Sequence, residues 1–256
     1  MGRSRLSAVI PLSAMQATAF EFRHRWWIIC SIFFAAFFAY SVDPVNCGAA
    51  ITHWLAKRLG MVASDSSSRL IFAFGALLLF LAAILRTWGT SYLQPEVMRD
   101  SEVHTERLLA DGPYRHVRNP LYLGNILMAA GIGLMASRIG FVILLIGMTL
   151  FVIRLLLREE AELSRAQGEL YRRYCSVVPR LVPSLMPRVP PAGNTPNWTE
   201  GFRVELMYWL LTLAMGAFAI TLHIKIFWGI FIPAMASSWL LKRPQAKHAS
   251  PTILKR

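Results

Sequence analysis

Six apolar runs, each long enough to form a helix across a lipid bilayer, constrain the fold of this 256-residue chain more than any other feature. Crossing about 30 Å of hydrocarbon takes roughly 20 helical residues, because a backbone polar group without a partner in lipid costs several kcal/mol. The composition, 55% hydrophobic and 16% charged, is also too apolar for an ordinary soluble domain. We therefore predict an all-α, polytopic integral membrane protein with about six transmembrane helices. The predicted spans are residues 26–42, 70–88, 120–137, 139–157, 205–222 and 226–241.

The positions of the basic residues predict the orientation of these spans, because Lys and Arg are more frequent on the cytoplasmic side. With six spans and both termini in the cytoplasm, the outer side keeps only Lys57, Arg58, Arg69, Arg138 and Lys225. Short connections make the third and fourth spans one helical hairpin, and the fifth and sixth spans another.

The net charge of +13 indicates anionic lipid headgroups as a partner rather than nucleic acid, because the basic residues are spread over loops next to the membrane. At the end of the second span, Arg86 is expected to extend to the headgroups. The cysteines and histidines do not show metal-ligand spacing, so we predict no metal site. The segment GIGLMA, 131–136, matches a dinucleotide pattern but lies in an apolar helix, where small residues favour close helix packing.

Two polar segments, residues 94–119 and 158–191, flank the central hairpin on the same predicted side. A short connection at the far end brings their anchor points together, so we expect the chemistry where they meet. Three regions follow: an N-terminal segment with two spans (1–93), a core (94–200), and a final hairpin with a basic tail (201–256).

The first polar segment contains GPYRHVRNPLYLG, in which Asn119 is a good N-cap and Pro120 suits the first helical position. The positive end of that helix is a natural place for a carboxylate. In the alternative interpretation, Arg115, Arg118 and Tyr122 only anchor a span.

The second polar segment begins with Glu159 and Glu160, which Arg154 and Arg158 are expected to hold ionised. These carboxylates could accept hydrogen bonds from hydroxyls or an amine, or they could simply be the solvated end of a helix. Apolar positions then recur at helical spacing and predict an amphipathic helix at the membrane interface. These positions are Leu163, Ala166, Leu170 and Tyr174.

The order of three sequence blocks resembles the integral-membrane methyltransferases of the isoprenylcysteine carboxyl methyltransferase and phospholipid methyltransferase group. The blocks are GPYRHVRNPLYLG, then REEAEL, then GELYRRYCSVVPRLVPSL. This resemblance implies methyl transfer from S-adenosylmethionine, bound in a pocket on the cytosolic side, to a lipid or lipidated acceptor that enters from the membrane.

The resemblance also implies roles for individual residues. We assign catalytic roles to Arg118, Glu159 and Glu160, and substrate binding to Arg154. The implied cofactor contacts are Glu106, Arg107, Leu108, Leu109, Tyr114, Asn119, Pro120, Leu121, Tyr122 and Glu159.

Two departures from the family pattern leave the acceptor open. Asn119 replaces the histidine of the carboxyl methyltransferases and cannot transfer protons in the same way. The expected substrate arginine falls on Leu155, one residue from Arg154. The prediction is an isoprenylcysteine carboxyl O-methyltransferase-like enzyme, with phospholipid N-methylation as the alternative. An NADPH-dependent sterol-type reductase and a non-catalytic membrane scaffold are the other hypotheses.

Overall fold

A computed structural model describes residues 15–93 and 110–241, which form eight α-helices and no β-sheet. The helices are α1 (Ala19–Arg23), α2 (Arg25–Phe38), α3 (Cys47–Arg58), α4 (Asp65–Tyr92), α5 (Pro120–Gly133), α6 (Arg138–Val177), α7 (Trp198–Thr221) and α8 (Ile224–Leu241).

Three of the described helices, α4, α6 and α7, are long and apolar enough to cross a membrane. They correspond to the second, fourth and fifth predicted spans, which are confirmed by this measure. The first and third correspond to α2 and α5, each of 14 residues, and the sixth to α8, with a short apolar stretch over Ile224–Pro233. Six spans therefore stay a prediction. Helices α1 and α3 were not predicted.

Side-chain caps begin the long helices. Ser64 accepts from the N–H of Ser67 at the start of α4, and Ser137 accepts from the N–H of Gly140 at 3.0 Å at the start of α6. Asn197 caps α7 in the same way. These oxygens satisfy amides that have no partner in the first helical turn, which fixes where each helix starts.

The main helices pack in the order α2, α6, α5, α4, α7 and α8. Leu79, Leu144, Met148 and Met215 are fully buried where they meet. Glycines let the backbones approach: a Cβ added to Gly131 of α5 would lie 2.7 Å from the carbonyl oxygen of Gly75 on α4. The predicted packing role of small residues in the 131–136 segment is thus confirmed for Gly131.

Both predicted hairpins are present. Helix α5 ends at Gly133 and α6 begins at Arg138, while Leu222, in the left-handed conformation, connects α7 to α8. Arg138 donates to Asp43 at 2.8 Å, which ties the central hairpin to the segment before α3. The Arg138 hydrogen bonds lower the pKa of Asp43 to about 2.

Helix α6 continues into the second polar segment instead of ending at the membrane boundary. Its 40 residues are interrupted at Gly168, whose φ of 60° and ψ of −128° are not helical. Such a positive φ favours glycine. The predicted apolar stripe is not one buried face, because Leu163 and Leu170 are exposed whereas Tyr174 is buried together with Tyr171. The last turns of α6 consequently fold back toward the first polar segment.

Candidate functional site

The two polar segments meet, as expected, over their described parts. Backbone hydrogen bonds join Arg118 N to Pro179 O at 2.9 Å and Ser184 N to His116 O at 2.9 Å. The Tyr174 hydroxyl donates to the carbonyl oxygen of Tyr114 at 2.7 Å. The segment that follows α6 therefore lies along residues 114–119 and holds them against the start of α5.

Glu160 is the charged centre of this junction. It is 7% exposed and accepts from Asn119 Nδ2 at 2.9 Å and from Arg180 Nε at 3.0 Å, while Arg118 Nη1 lies 3.2 Å away. Two guanidinium groups compensate the buried carboxylate, as a buried charge requires. Arg180 was not singled out in the sequence. Because these contacts occupy both carboxylate oxygens, Glu160 fixes the junction, and its catalytic role stays a prediction.

Arg118 retains one free donor at this junction. Its side chain is 10% exposed, and Nε has no hydrogen-bond acceptor in the described part of the chain. A buried donor without a partner costs about 1–3 kcal/mol. A ligand oxygen that accepted from Nε would recover that cost.

No described residue supplies a side-chain cap to the first turn of α5. Asn119 occupies the predicted N-cap position, but its amide donates to Glu160 and to the carbonyl oxygen of Arg180 instead. The prediction that Asn119 caps α5 is wrong, because the buried carboxylate competes for the same side chain. The helix start, with Pro120 at its first position, keeps its positive dipole end uncompensated by a cap.

Glu159 has different surroundings from Glu160, since successive helical residues point in different directions. It is half-buried, and both the Tyr122 hydroxyl and Arg25 of α2 are close enough for an electrostatic interaction. It forms no ion pair with any residue whose structure is described. Tyr122 therefore connects Glu159 to the start of α5.

Tyr114 is another predicted cofactor contact that lies among the described residues. Burial raises the pKa of its phenol, so the hydroxyl stays protonated. The predicted contacts Glu106, Arg107, Leu108 and Leu109 lie outside the described residues.

Arg154 and Arg158 do not hold Glu159 and Glu160 ionised, so that prediction is wrong. Arg154 pairs with Glu21 of α1 at 2.8 Å, and Arg158 pairs with Glu162 at 2.9 Å. The hydrogen bonds from Arg154 lower the pKa of Glu21 to about 2. Glu21, in an N-terminal segment for which no partner was predicted, therefore pairs with the arginine that was assigned to the substrate.

A second buried ion pair supports the site from α7. Arg86 donates to Glu205 at 2.7 and 3.0 Å, and its Nη1 donates to the carbonyl oxygen of Leu121 at 3.0 Å and to Asn125 at 2.8 Å. Thr90 also donates to Glu205. The expectation that Arg86 extends to the headgroups is wrong, because a carboxylate in another span is available. An Arg and a Glu in separate apolar runs were the sequence signal for this pairing.

Gly124, the last glycine of the first motif block, leaves room for the Arg86 side chain to pass along α5. A Cβ at this position would overlap with Arg86 Cγ. The Arg86 guanidinium also lies 4.3 Å from the centroid of the Tyr208 ring, which stacks a second α7 side chain on it. Both α4 and α7 are thereby fixed to the first turn of α5.

Comparison with known proteins finds the phospholipid methyltransferase family model over residues 70–169. The match extends from α4 through the first motif block to Glu169 in α6. It confirms the resemblance to integral-membrane methyltransferases. No curated protein and no solved structure matches the chain.

Proposed function

Because the phospholipid methyltransferase family model matches residues 70–169, we propose that this chain is an integral-membrane enzyme that methylates a lipid acceptor with S-adenosylmethionine. The observation that carries the proposal is the arrangement around the start of α5. Among the described residues, Arg118 Nε is buried without an acceptor and the helix start has no side-chain cap, and Tyr122 in that turn lies close to Glu159.

These residues fit the polar groups of S-adenosylmethionine. A carboxylate suits the Arg118 guanidinium and the positive end of α5, because both supply N–H donors in a site shielded from water. When bound, S-adenosylmethionine supplies a methyl carbon made electrophilic by its sulfonium group. Arg118 and the turn 119–122 would hold and orient it, and this positioning accounts for most of the rate of a methyl transfer.

A phospholipid amine is the acceptor that the geometry supports best. An ammonium group must lose a proton before its nitrogen can accept a methyl group, and Glu159 is a carboxylate without an ion pair in the described chain. The proton goes to Glu159, the nitrogen lone pair forms the new N–C bond, and the S–C bond of the donor breaks with release of S-adenosylhomocysteine. Arg154, expected to bind an acceptor carboxylate, is paired with Glu21 instead.

Carboxyl O-methylation of an isoprenylcysteine-like acceptor is the second candidate, and one observation favours it. Arg25 interacts with Glu159 and makes no ion pair with the described carboxylates, so it could neutralise an acceptor carboxylate in place of Arg154. A carboxylate nucleophile needs no general base. The two candidates therefore make opposite predictions for the removal of Glu159.

The test is incorporation of radiolabelled methyl groups from S-adenosylmethionine into phosphatidylethanolamine and into farnesylcysteine. A product label that survives alkali is N-methyl, whereas a methyl ester releases volatile methanol. For N-methylation, Glu159→Gln is expected to lower kcat by about 100-fold, the usual contribution of a general base. Glu169→Gln, on the same helix and exposed, is the matched control.

Alkali-labile product from farnesylcysteine, with kcat unchanged in Glu159→Gln, would establish the second candidate instead. Transfer to neither acceptor, in a protein that also fails to bind S-adenosylhomocysteine, would overturn the proposed function.

A further inference from the structure

A basic groove opens between α1, the start of α2 and α6, outside the junction at Glu160. Its volume is about 490 Å³. The lining residues are Ala19, Phe22, Arg23, Arg25, Trp26 and Arg158. Arg25 and Arg158 approach the Phe22 ring, with their guanidinium carbons 4.7 and 5.1 Å from its centroid. Two positively charged side chains therefore lie against the same aromatic ring.

Two carboxylates near the groove are already paired. Glu21 pairs with Arg154, and Glu162 pairs with Arg158. Arg23 and Arg25 are exposed and form no ion pair with residues in 15–93 or 110–241. The groove therefore keeps an excess of positive charge, and guanidinium groups bind phosphate oxygens in bidentate geometry.

The aromatic residues place this groove at the level of lipid headgroups. Trp26 and Trp27, at the start of the apolar helix α2, are 67% and 69% exposed. Exposed tryptophans at the end of an apolar helix are typical of the membrane–water interface, where lipid phosphates lie. A phosphate in the groove would belong to a lipid whose acyl chains run along α2.

The groove adjoins the proposed reaction site through Arg25, which interacts electrostatically with both Glu159 and Tyr122. In an ethanolamine phospholipid, two carbon atoms separate the phosphate from the amine. We propose that Arg23, Arg25 and Arg158 bind the phosphate of the acceptor phospholipid, which directs its amine toward Glu159. This inference rests on the proposed function. It places the acceptor site on α1 and α2, which lie outside the family match, and on α6, which extends beyond the end of the match.

The experiment is equilibrium binding of dioctanoyl phosphatidylethanolamine to the full chain in detergent, measured by calorimetry for wild type and the double variant Arg23→Gln/Arg25→Gln. The matched control is Arg172→Gln/Arg173→Gln, which also removes two exposed positive charges, from a part of α6 that does not line the groove. Inorganic phosphate is titrated in parallel to separate a lipid site from a simple anion site.

The inference predicts at least a tenfold weaker lipid affinity in the groove variant, with lipid and S-adenosylhomocysteine affinities both unchanged in the control. In turnover, the acceptor KM should rise at least tenfold in the groove variant and stay unchanged in the control. Equal lipid affinity in all three proteins, or an equal loss in both variants, would overturn it. Inorganic phosphate binding as tight as that of the lipid would overturn the lipid assignment.

Failure of the inference is distinguishable from failure of the proposed function. If the wild-type protein methylates phosphatidylethanolamine and the groove variant keeps the wild-type acceptor KM, the inference is wrong but the proposed function stands. A wild-type protein that binds no S-adenosylhomocysteine removes the proposed function, and with it the role of the bound lipid as acceptor.

Discussion

Replacing Glu205 by Gln tests how α7 is attached to the start of α5. The Glu205 carboxylate is 3% exposed and accepts from Arg86 at 2.7 and 3.0 Å and from Thr90 at 2.8 Å. Breaking a buried ion pair by removing one partner costs about 3–5 kcal/mol, because the other charge stays buried. Gln keeps an acceptor oxygen and the Arg86 side chain is 16% exposed, so we expect about 3 kcal/mol, the lower end of that range.

The assay is reversible unfolding in mixed micelles, with Asp43→Asn as the matched control. Asp43 is also a buried carboxylate that pairs with an arginine, but Arg138 is 59% exposed and can be hydrated when its partner is lost. The free energy of unfolding should therefore fall less in Asp43→Asn than in Glu205→Gln. Equal losses in the two variants would refute the argument from burial.

The same variants separate a positioning role from a purely structural one. Arg86 Nη1 donates to the Leu121 carbonyl in the turn that is proposed to hold the cofactor, whereas Asp43 lies at the other end of α6. Glu205→Gln should weaken S-adenosylhomocysteine binding about tenfold, and Asp43→Asn should leave it unchanged. Destabilised Glu205→Gln protein that keeps wild-type cofactor affinity at a temperature where it is folded would show that Arg86 stabilises the bundle without positioning the site.

Three further predictions follow from individual contacts. Gly124→Ala should lower the free energy of unfolding by about 1–3 kcal/mol in the same micelle assay, because the added methyl collides with Arg86, and an unchanged value would contradict the packing. The pKa of Asp43 in the folded state is about 2, against a usual 3.8, so its ion pair contributes stability that is present above pH 3.8 and lost as the pH falls toward 2. The difference in unfolding free energy between wild type and Asp43→Asn should therefore shrink over that range. A constant difference would contradict the assignment. Tyr122→Ala should weaken S-adenosylhomocysteine binding in calorimetry while the chain stays folded, whereas unchanged affinity in both Tyr122→Ala and Glu159→Gln would contradict the site assignment.

The apolar runs predicted the helices because length and hydropathy act locally. Pro120 began α5 as expected, and the short connection at Arg138 brought residues 114–119 against the segment after α6. These features depend on neighbouring residues or on a single tight turn. They could be predicted from the sequence for that reason.

The pairing of charges could not be predicted because it depends on which helices pack together. Arg154 was assigned to the substrate, but the short helix α1 folds back and supplies Glu21. Arg86 was expected to extend to the headgroups, but Glu205, 119 residues later, reaches it inside the bundle. Asn119 had the residue type of an N-cap, yet its amide meets the buried Glu160. In each case a long-range partner overrides the local preference.

Calorimetric titration of the purified full chain in detergent with S-adenosylhomocysteine, beside NADPH, tests the proposed methyltransferase function most directly. The proposal predicts saturable binding of S-adenosylhomocysteine, weakened in Tyr122→Ala, and no binding of NADPH. NADPH binding alone would contradict it in favour of a membrane reductase, and binding of neither would favour a non-catalytic scaffold.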